Sequence, residues 1–359
     1  MPTTSVICIG DPHFKVENVL EVKQFMEKIL VVLEYKKPSF IVILGDILHT
    51  HEKIHTDAMN MAYKFINAIN KISKTYILVG NHDMISNQIF LTPDHWMNGM
   101  KEWKNTIIVD KVIKEEINGN LFVFVPYVYA GRFQEALYSL NDDDKEYYKK
   151  AKCIFAHQEF YGCKMGAIVS IDGDKWDLDN PNIISGHIHN NQKPQENIYY
   201  PGSSIETSFG ESQNNIIAFL EFKDENKNYF LEEIDLKLPR KKIVYLDVDS
   251  VENFTLPITE DKLKVSISGE FEDFKVLKKT KKYKELVDNG VKVVFKPKRS
   301  EKKLKNEKMQ ENIEKNEGVS DFKLILEDMI ENQKNPYLRE AYELIINNKQ
   351  IDSSSIIYM

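Results

Sequence analysis

Residues 40–46 read FIVILGD, an uninterrupted apolar run that ends in glycine and aspartate. A run of this length without polar alternation is typical of a strand that is buried on both faces of a sheet. Two similar runs lie on either side of it, SVICIGD at 5–11 and TYILVGN at 75–81. Between these runs, residues 17–35 and 56–73 carry apolar side chains at helical spacing. The order β-α-β-α-β predicts parallel strands joined by right-handed helical crossovers.

The pattern changes to a predominantly β character after residue 105. Short apolar runs separated by turn residues continue as far as residue 222, and we expect helices only around 131–150. We therefore interpret residues 1–235 as one layered α/β domain. The apolar runs lie at 105–110, 120–127, 152–157, 182–187, 197–203 and 215–222.

The remainder of the chain is predicted to contain three further parts. DLKLPRKK at 235–242 has the composition of a domain junction, and residues 240–298 form a small ββαβ unit with a helix from about 271 to 288. Residues 299–318 are rich in charge and lack an apolar stripe, which is typical of a linker or an exposed helix. The segment 319–359 begins with two short amphipathic helices, which are broken at Asn335-Pro336.

Composition excludes several classes of protein. No apolar run approaches the roughly 20 residues that a membrane-spanning helix needs, and the N-terminal residues lack the pattern of a secretory signal. Three cysteines cannot form a disulfide framework, so we expect a reducing compartment in the cytoplasm or nucleus.

Positive charge is concentrated near the C-terminal end, although the whole chain carries −7. Residues 271–308 contain 14 Lys or Arg and 6 Asp or Glu. Such a segment either contacts phosphate groups or is simply a solvated run of charge, and the charge count alone favours neither.

Five short polar clusters each follow a strand-like run, so we expect them to meet at one edge of the sheet. Together they offer two carboxylates, one amide and several imidazoles. Mixed oxygen and nitrogen donors suit Mn, Fe or Zn better than Mg or Ca, and they are too many for one tetrahedral ion. We predict two divalent ions bridged by a carboxylate. The clusters are Asp11-Pro12-His13, Gly45-Asp46, Gly80-Asn81-His82-Asp83, His157 and Gly186-His187-Ile188-His189, and they leave open whether four or five imidazoles bind.

A positive centre of this kind attracts a phosphodiester anion. Divalent ions lower the pKa of water and so provide hydroxide at neutral pH. A poor leaving group also needs a proton donor, and His82 is the candidate because it neighbours a predicted ligand without being required as one.

The clusters DPH, GD, GNHD, H and GHIH, in this order, resemble the signature of the calcineurin-like metallophosphoesterase superfamily over residues 5–210. The resemblance implies a layered β-sandwich flanked by helices, with a small α+β capping domain and a helical C-terminal tail. It implies that one metal takes Asp11, His13, Asp46 and His189. The second metal takes Asp46, Asn81, His157 and His187. In this family the residue matching His82 contacts the phosphate and assists the leaving group.

Within the superfamily, GDILHT at 45–50 resembles DNA repair nucleases of the SbcD type and argues against the Ser/Thr phosphatase branch. His49 takes the position of a further active-site histidine of those nucleases, and residues 198–211 resemble their segment after the final histidine. The stretch HQEFYGCKMGAIVS at 157–170 departs from their pattern. This departure and the compact capping unit suggest a reduced, viral or phage-type member.

The resemblance implies a Mn²⁺-dependent exo- and endonuclease in DNA double-strand-break repair and recombination, with Fe²⁺ or Zn²⁺ as alternative ions. Its partners would be DNA, an SbcC-type ATPase docked on 319–359 and a second copy of the chain. We expect DNA to contact the lysine-rich stretch of the capping unit, namely Lys278, Lys279, Lys281 and Lys282. The alternatives are a phosphoesterase acting on a small nucleotide or phosphoprotein, and a non-catalytic scaffold.

The homodimer hypothesis also rests on an apparent excess of apolar side chains, whose alternative role is to pack on the sheet. They are Met59, Met61, Phe65, Ile66, Phe90, Leu91, Trp96, Met97, Met100 and Trp103.

Overall fold

The computed structural model describes residues 3–50, 53–140, 143–211, 215–223 and 228–298, together with Ile330, Leu338, Arg339 and Tyr342. The predicted linker at 299–318 lies outside the described residues. The predicted helical segment at 319–359 also lies outside them, apart from those four single residues. In the part of the chain that is described, no helix has both the length and the apolar character needed to cross a membrane.

The elements alternate between strands and helices at first and are mostly strands later. The helices are α1 (Val19–Lys36), α2 (Thr56–Ile69), α3 (Phe133–Tyr138), α4 (Phe271–Leu277) and α5 (Lys281–Asp288). Single 3₁₀ turns lie at Val16–Asn18, Asn98–Met100, Tyr147–Lys150 and Val248–Ser250. The strands are β1 (Thr4–Ile9), β2 (Phe40–Ile43), β3 (Lys74–Leu78), β4 (Thr106–Val109), β5 (Ile113–Ile117), β6 (Asn120–Val125), β7 (Cys153–His157), β8 (Lys164–Met165), β9 (Ile168–Val169), β10 (Ile183–Gly186), β11 (Gln192–Gln195), β12 (Ile198–Tyr200), β13 (Ile217–Phe222), β14 (Tyr229–Ile234), β15 (Lys241–Asp247), β16 (Lys262–Gly269) and β17 (Lys292–Pro297).

Two six-stranded sheets form the layers of the sandwich. The first has the order β14-β13-β1-β2-β3-β4, and the second has the order β11-β12-β10-β7-β6-β5. Strands β1, β2 and β3 run parallel to one another, as the alternation of strands and helices predicts, and β4 is parallel to β3. Strand β13 returns antiparallel beside β1. The layered sandwich flanked by helices is therefore confirmed.

Alternate residues of each buried strand serve two different cores. In β2, Phe40 and Val42 belong to the core between the sheets, whereas Ile41 and Ile43 belong to the core beneath α1 and α2. Because neighbouring side chains of a strand point to opposite faces, a strand covered on both faces must be apolar throughout. This requirement explains the unbroken FIVI run.

Several boundaries differ from the sequence-based predictions. The second helix ends at Ile69 rather than near residue 73. The single helix expected at 271–288 is two helices, because the Thr280 side chain accepts a hydrogen bond from Tyr283 N and so starts α5. Strands β5, β8, β9, β11 and β14 are too short or too polar for their patterns to have identified them.

Most of the apolar side chains behind the homodimer hypothesis belong to the interior. Met61, Phe65, Ile66, Met97 and Met100 are buried, and Trp96 and Trp103 pack partly buried against the same core. The alternative role, packing on the sheet, therefore accounts for these side chains. Homodimerisation itself stays a prediction.

The chain divides into two compact units, Met1–Ile267 with Val276–Val294 and Ser268–Lys275 with Phe295–Met359. Strands β15, β16 and β17 form a three-stranded sheet in that order. In the second unit, the rings of Phe274 and Phe295 stack with their centroids 4.3 Å apart. The predicted domain boundaries, 1–235 and 240–298, stay predictions.

The core between the sheets predicts a large cost for truncating Phe124. Its ring stacks on Tyr76 at 4.1 Å and on Phe155 at 5.3 Å, and it is fully buried. We expect Phe124→Ala to lower the free energy of unfolding by about 3–5 kcal/mol, because it leaves a cavity among aromatic rings. Urea denaturation followed by circular dichroism measures this change. Phe230→Ala, at an exposed position of β14, is the control, and an equal loss in both variants would contradict the assignment.

Candidate metal centre

The predicted ligands all follow buried strands, and the structure brings them together. Asp11 and His13 follow β1, Asp46 follows β2, and Asn81 follows β3 in the first sheet. In the second sheet, His157 ends β7, and His187 and His189 follow β10. The carboxyl ends of strands from both layers therefore meet at one edge of the sandwich, where ligands bind in open α/β sheets.

The side chains form two groups that share Asp46. On one side, His13 Nε2 lies 2.9 Å from His189 Nε2 and 3.6 Å from Asp46 Oδ2. On the other side, His157 Nε2 lies 3.5 Å from the same Asp46 oxygen. The arrangement fits the expected bridging role of Asp46 between two ions.

Asn81 completes the second group. Its Oδ1 lies 3.0 Å from His157 Nε2 and 2.9 Å from His187 Nδ1. His157 Nδ1 donates a hydrogen bond to the Leu44 carbonyl at 2.6 Å, so Nε2 is the nitrogen that faces the centre. A second hydrogen bond of this kind commonly orients a metal-binding histidine.

Asp11 contacts both groups. The Asp11 carboxylate forms one group of possible ligands with His13 and His189, and a second group with Asp46 and His157. Within each group the ligand atoms lie at distances that suit ligands of one ion. Oδ1 accepts a hydrogen bond from His187 N at 2.9 Å. Oδ2 is buried, and it has no hydrogen-bond partner among the described residues. A buried, unpaired carboxylate oxygen is costly unless a cation compensates it, so the donor set fits divalent ions.

The pKa values of two of the predicted histidine ligands suit this role. Burial lowers the pKa of His13 well below its usual value, and burial together with the charge of His157 lowers the pKa of His187 to about 3. Both rings are therefore neutral at pH 7 and present lone pairs. His157 differs: burial alone would lower its pKa, but the Asp46 carboxylate raises it to about 9. Burial would raise the pKa of the Asp46 carboxyl. The pKa nevertheless lies far below its usual value, because His157 and His13 face this carboxylate.

The backbone is strained at four of the predicted ligands. Asp11, His13, Asp46 and His187 have φ values of 33°, 44°, 51° and 78°, in a region that non-glycine residues rarely adopt. Hydrogen bonds hold this conformation, including His13 N to the Asp46 carbonyl at 3.0 Å. Clustered strain of this kind is typical of functional sites.

The predicted proton donor lies beside the first group of ligands. The His82 ring is 5.0 Å from that of His13, and His82 N donates to Asp46 Oδ1 at 2.8 Å. His82 Nδ1 donates to the His49 carbonyl at 2.6 Å. The His49 ring stacks on that of His82, with centroids 5.8 Å apart and an interplanar angle of 11°. The structure therefore places both predicted catalytic histidines at the centre.

Two carboxylates support the site, and the sequence analysis missed both. Asp83 is buried and accepts hydrogen bonds from Asp46 N at 2.7 Å, from Gly80 N at 3.1 Å and from Trp96 Nε1 at 2.8 Å. It thereby ties the turn after β2 to the turn after β3. Asp83 is the fourth residue of the GNHD motif, and this position was the sequence signal that could have identified it.

Glu211 is the second carboxylate that was missed. Its Oε1 lies 3.6 Å from His189 Nδ1, the ring nitrogen opposite the one that faces His13. The carboxylate also accepts hydrogen bonds from Thr207 N at 2.8 Å and from Ser208 Oγ at 2.9 Å. Burial would raise the pKa of Glu211, but these donors and His189 hold it below its usual value. A carboxylate behind a ligating histidine fixes the orientation of its ring.

The predicted DNA-contacting lysines lie on and before α5. Lys278, Lys279 and Lys281 are exposed. Lys282 is half-buried and pairs with Glu285 at 3.1 Å. Their role in binding DNA stays a prediction.

The chain has a metallophosphoesterase fold, and a possible metal-binding cluster lies at the edge of its sandwich. Residues 4–191 match the family model described as calcineurin-like phosphoesterase, and the chain belongs to this family. It is therefore a phosphoesterase, a hydrolase of a family that binds divalent metal ions.

Two relatives come from viruses. The chain is 47% identical over 299 residues to protein 078R of Invertebrate iridescent virus 3, a phosphoesterase by provisional name, covering 82% of this chain and 85% of that protein. It is 46% identical over 284 residues to protein 244L of Invertebrate iridescent virus 6, named in the same way, covering 78% of this chain and 99% of that protein. Among solved structures, a dimetal phosphatase from Danio rerio has a TM-score of 0.41 and 10% identity, covering 65% of this chain and 96% of that chain. At this score the likeness adds nothing to the assignment.

Gly80 provides a test of the metal centre. A Cβ added there would lie 2.6 Å from Asp46 N and would overlap the Asp46 carboxylate. We expect Gly80→Ala to displace the bridging carboxylate and weaken Mn²⁺ binding at least tenfold, the lower end of what perturbed supporting contacts cost in metal sites. Isothermal titration calorimetry measures the affinity. Gly99→Ala is the matched control, because a Cβ there has no neighbour within 4 Å among the described residues. Unchanged affinity in Gly80→Ala would contradict the geometry.

Proposed function

We propose that this phosphoesterase is a Mn²⁺-dependent DNA nuclease, both exo- and endonucleolytic, that acts in double-strand-break repair or recombination. The observation that carries the proposal is the stacked pair of His49 and His82 beside the metal centre. In this pair, His82 would be the proton donor and the His49 ring would support it. Hydrolysis of a phosphodiester with a poor leaving group requires such a proton donor. The resemblance of GDILHT to SbcD-type nucleases supports DNA as the substrate.

The hydrogen bonds determine which atom of His82 acts. Because Nδ1 donates to the His49 carbonyl, Nδ1 carries a proton, and Nε2 is the nitrogen left to give a proton to the leaving oxygen. Burial and the nearby Lys15 lower the pKa of His49 to about 4. His49 is therefore neutral at pH 7 and adds no positive charge beside His82. Since His82 N also donates to Asp46 Oδ1, the backbone of His82 is tied to the carboxylate that is expected to bridge the ions.

Bound divalent ions would supply a water of lowered pKa and would offset negative charge on the phosphate oxygens. His13, His157, His187 and His189 would bind these ions together with Asp11, Asp46 and Asn81. Mn²⁺ is the proposed ion, with Fe²⁺ or Zn²⁺ as alternatives that the same donors accept.

Substrate and partners complete the proposal. Lys278, Lys279 and Lys281 are exposed on and before α5 and would contact DNA phosphates, so binding should weaken as salt increases. We further propose an SbcC-type ATPase partner, a homodimer and action inside a cell, with the chain encoded by a virus. The identity of 46–47% to two iridescent-virus proteins supports a viral source.

A phosphoesterase that acts on a small nucleotide or on a phosphoprotein is the second candidate, because the names of both viral relatives specify no substrate. Comparing turnover of bis(p-nitrophenyl) phosphate, p-nitrophenyl phosphate and linear DNA separates the two candidates. Preference for the monoester together with intact DNA would favour the second. A scaffold without activity is disfavoured, because each predicted ligand is present at the centre.

Digestion of linear and closed-circular DNA with Mn²⁺ tests the nuclease. We expect the wild-type protein to degrade both, and His82→Ser to lose at least a hundredfold in rate, the lower part of the range for general acid catalysis. Mn²⁺ binding, measured by calorimetry, should be retained because His82 is not a predicted ligand. His55→Ser, an exposed histidine at the start of α2, is the matched control. Intact DNA with the wild-type protein in Mn²⁺, Fe²⁺ and Zn²⁺ would overturn the proposal.

A further inference from the structure

A cavity of about 710 Å³ opens beside the metal centre. One wall contains the predicted ligands His187 and His189 with Glu211, and another is a segment for which the proposed reaction supplies no role. That segment belongs to the stretch 157–170, where the sequence departs from the SbcD-type pattern. The cavity is lined by Lys164, Met165, Gly166, Ala167, His187, Ile188, His189, Asn190, Gly210 and Glu211.

The segment is a hairpin formed by β8 and β9. Lys164 pairs with Val169, and Met165 pairs with Ile168, which leaves a two-residue turn. Gly166 has a φ of 64°, as the first central residue of a type II′ turn requires. The sequence therefore specifies a tight hairpin at this place.

The base of the hairpin is fixed, whereas its tip is exposed. Lys164 N donates to Gln192 Oε1 at 2.7 Å, and Gln192 Nε2 donates to the Lys164 carbonyl at 2.9 Å. By contrast, Met165 is 39% exposed and Ile168 is 67% exposed. Apolar side chains held in solvent by a rigid support, next to a candidate active site, are typical of a binding surface.

We propose that this hairpin contacts a nucleobase of an unpaired DNA strand whose phosphate lies at the metal centre. The inference rests on the proposed nuclease function and names the part of the substrate that the cavity holds. Met165 would pack against the face of the base, and Lys164 would lie near the adjacent phosphate. Apolar side chains, Met among them, contact bases in this way when they separate base steps.

The composition of the cavity supports a nucleotide as its occupant. An anionic group would suit the wall with His187 and His189 if divalent ions bind there, and a flat apolar group fits the wall formed by Met165, Gly166 and Ala167. A nucleotide joins both groups in one ligand. A cube of the cavity's volume would measure roughly 9 Å on a side, whereas a duplex is wider than its own major groove, which is roughly 12 Å across. An unpaired strand therefore fits the cavity better than a duplex does.

The experiment separates contact with the base from contact with the phosphate. Short fluorescein-labelled oligothymidylate and an abasic strand of equal length carry the same charge and differ only in the bases. Fluorescence anisotropy would measure binding of both to the full chain loaded with Mn²⁺. The His82→Ser background prevents cleavage during the measurement. Met165→Gln removes the apolar contact at similar side-chain size, and Leu178→Gln is the control at an exposed aliphatic residue outside the cavity lining.

We expect the parent protein to bind oligothymidylate about five- to tenfold more tightly than the abasic strand, the lower part of the range for one stacked base. Met165→Gln should bind both strands with equal affinity, whereas Leu178→Gln should keep the preference. Mn²⁺ affinity should not change in either variant.

Two results would overturn the inference: a preference that Met165→Gln retains, or a parent protein that binds both strands equally. If Met165→Gln retained the preference and also changed the oligomeric state, the hairpin would instead be a protein interface. The binding experiment tests the hairpin contact, and the digestion experiment tests the nuclease activity, so the two can fail separately. Base-dependent binding without DNA hydrolysis would support the hairpin contact and refute the nuclease, and hydrolysis without base dependence would do the reverse.

Discussion

The site depends on the burial of Asp11 and Asp46 at the end of the sandwich. Each carboxylate is almost completely removed from water, and Asp11 Oδ2 has no hydrogen-bond partner among the described residues. Imidazoles and backbone N–H groups compensate only part of this charge, so the folded chain favours cations at this place. The requirement explains why four predicted ligands adopt positive φ values: the backbone must turn sharply after each strand to direct its side chain inward.

The two-layer core makes this burial possible. Aromatic rings from both sheets pack between the layers, including Phe40, Phe122, Phe124 and Phe155. The strands behind the site are thereby fixed relative to one another, and the turns that follow them can hold ligand atoms at defined distances. Asp83 adds a local constraint, because its carboxylate binds the backbone of both Gly80 and Asp46.

The cavity beside the centre has walls of two kinds, one polar and one apolar. The polar wall contains predicted metal ligands, whereas the apolar wall comes from the hairpin that follows β7, in the stretch 157–170 that departs from the pattern of SbcD-type nucleases. A family motif is thus combined with a local element, and such a combination can change which substrates reach a shared centre without changing its chemistry.

The sequence alone determined the parallel β-α-β-α-β start of the chain, because strands covered on both faces must be apolar and the helices between them must be amphipathic. It also predicted seven metal ligands, because their clusters follow such strands and resemble the signature of the calcineurin-like metallophosphoesterase superfamily. Only the tertiary structure decided which of them face each other, since His13 and His189 are 176 positions apart and meet at 2.9 Å. It alone identified Asp83 and Glu211, whose roles depend on contacts across turns, and it resolved short polar strands that carry no hydrophobic period. It also decided the position of Met61, Phe65 and Ile66 on α2: the spacing of their side chains defines an apolar face, but whether that face packs inside or binds a partner depends on the sheet beneath it.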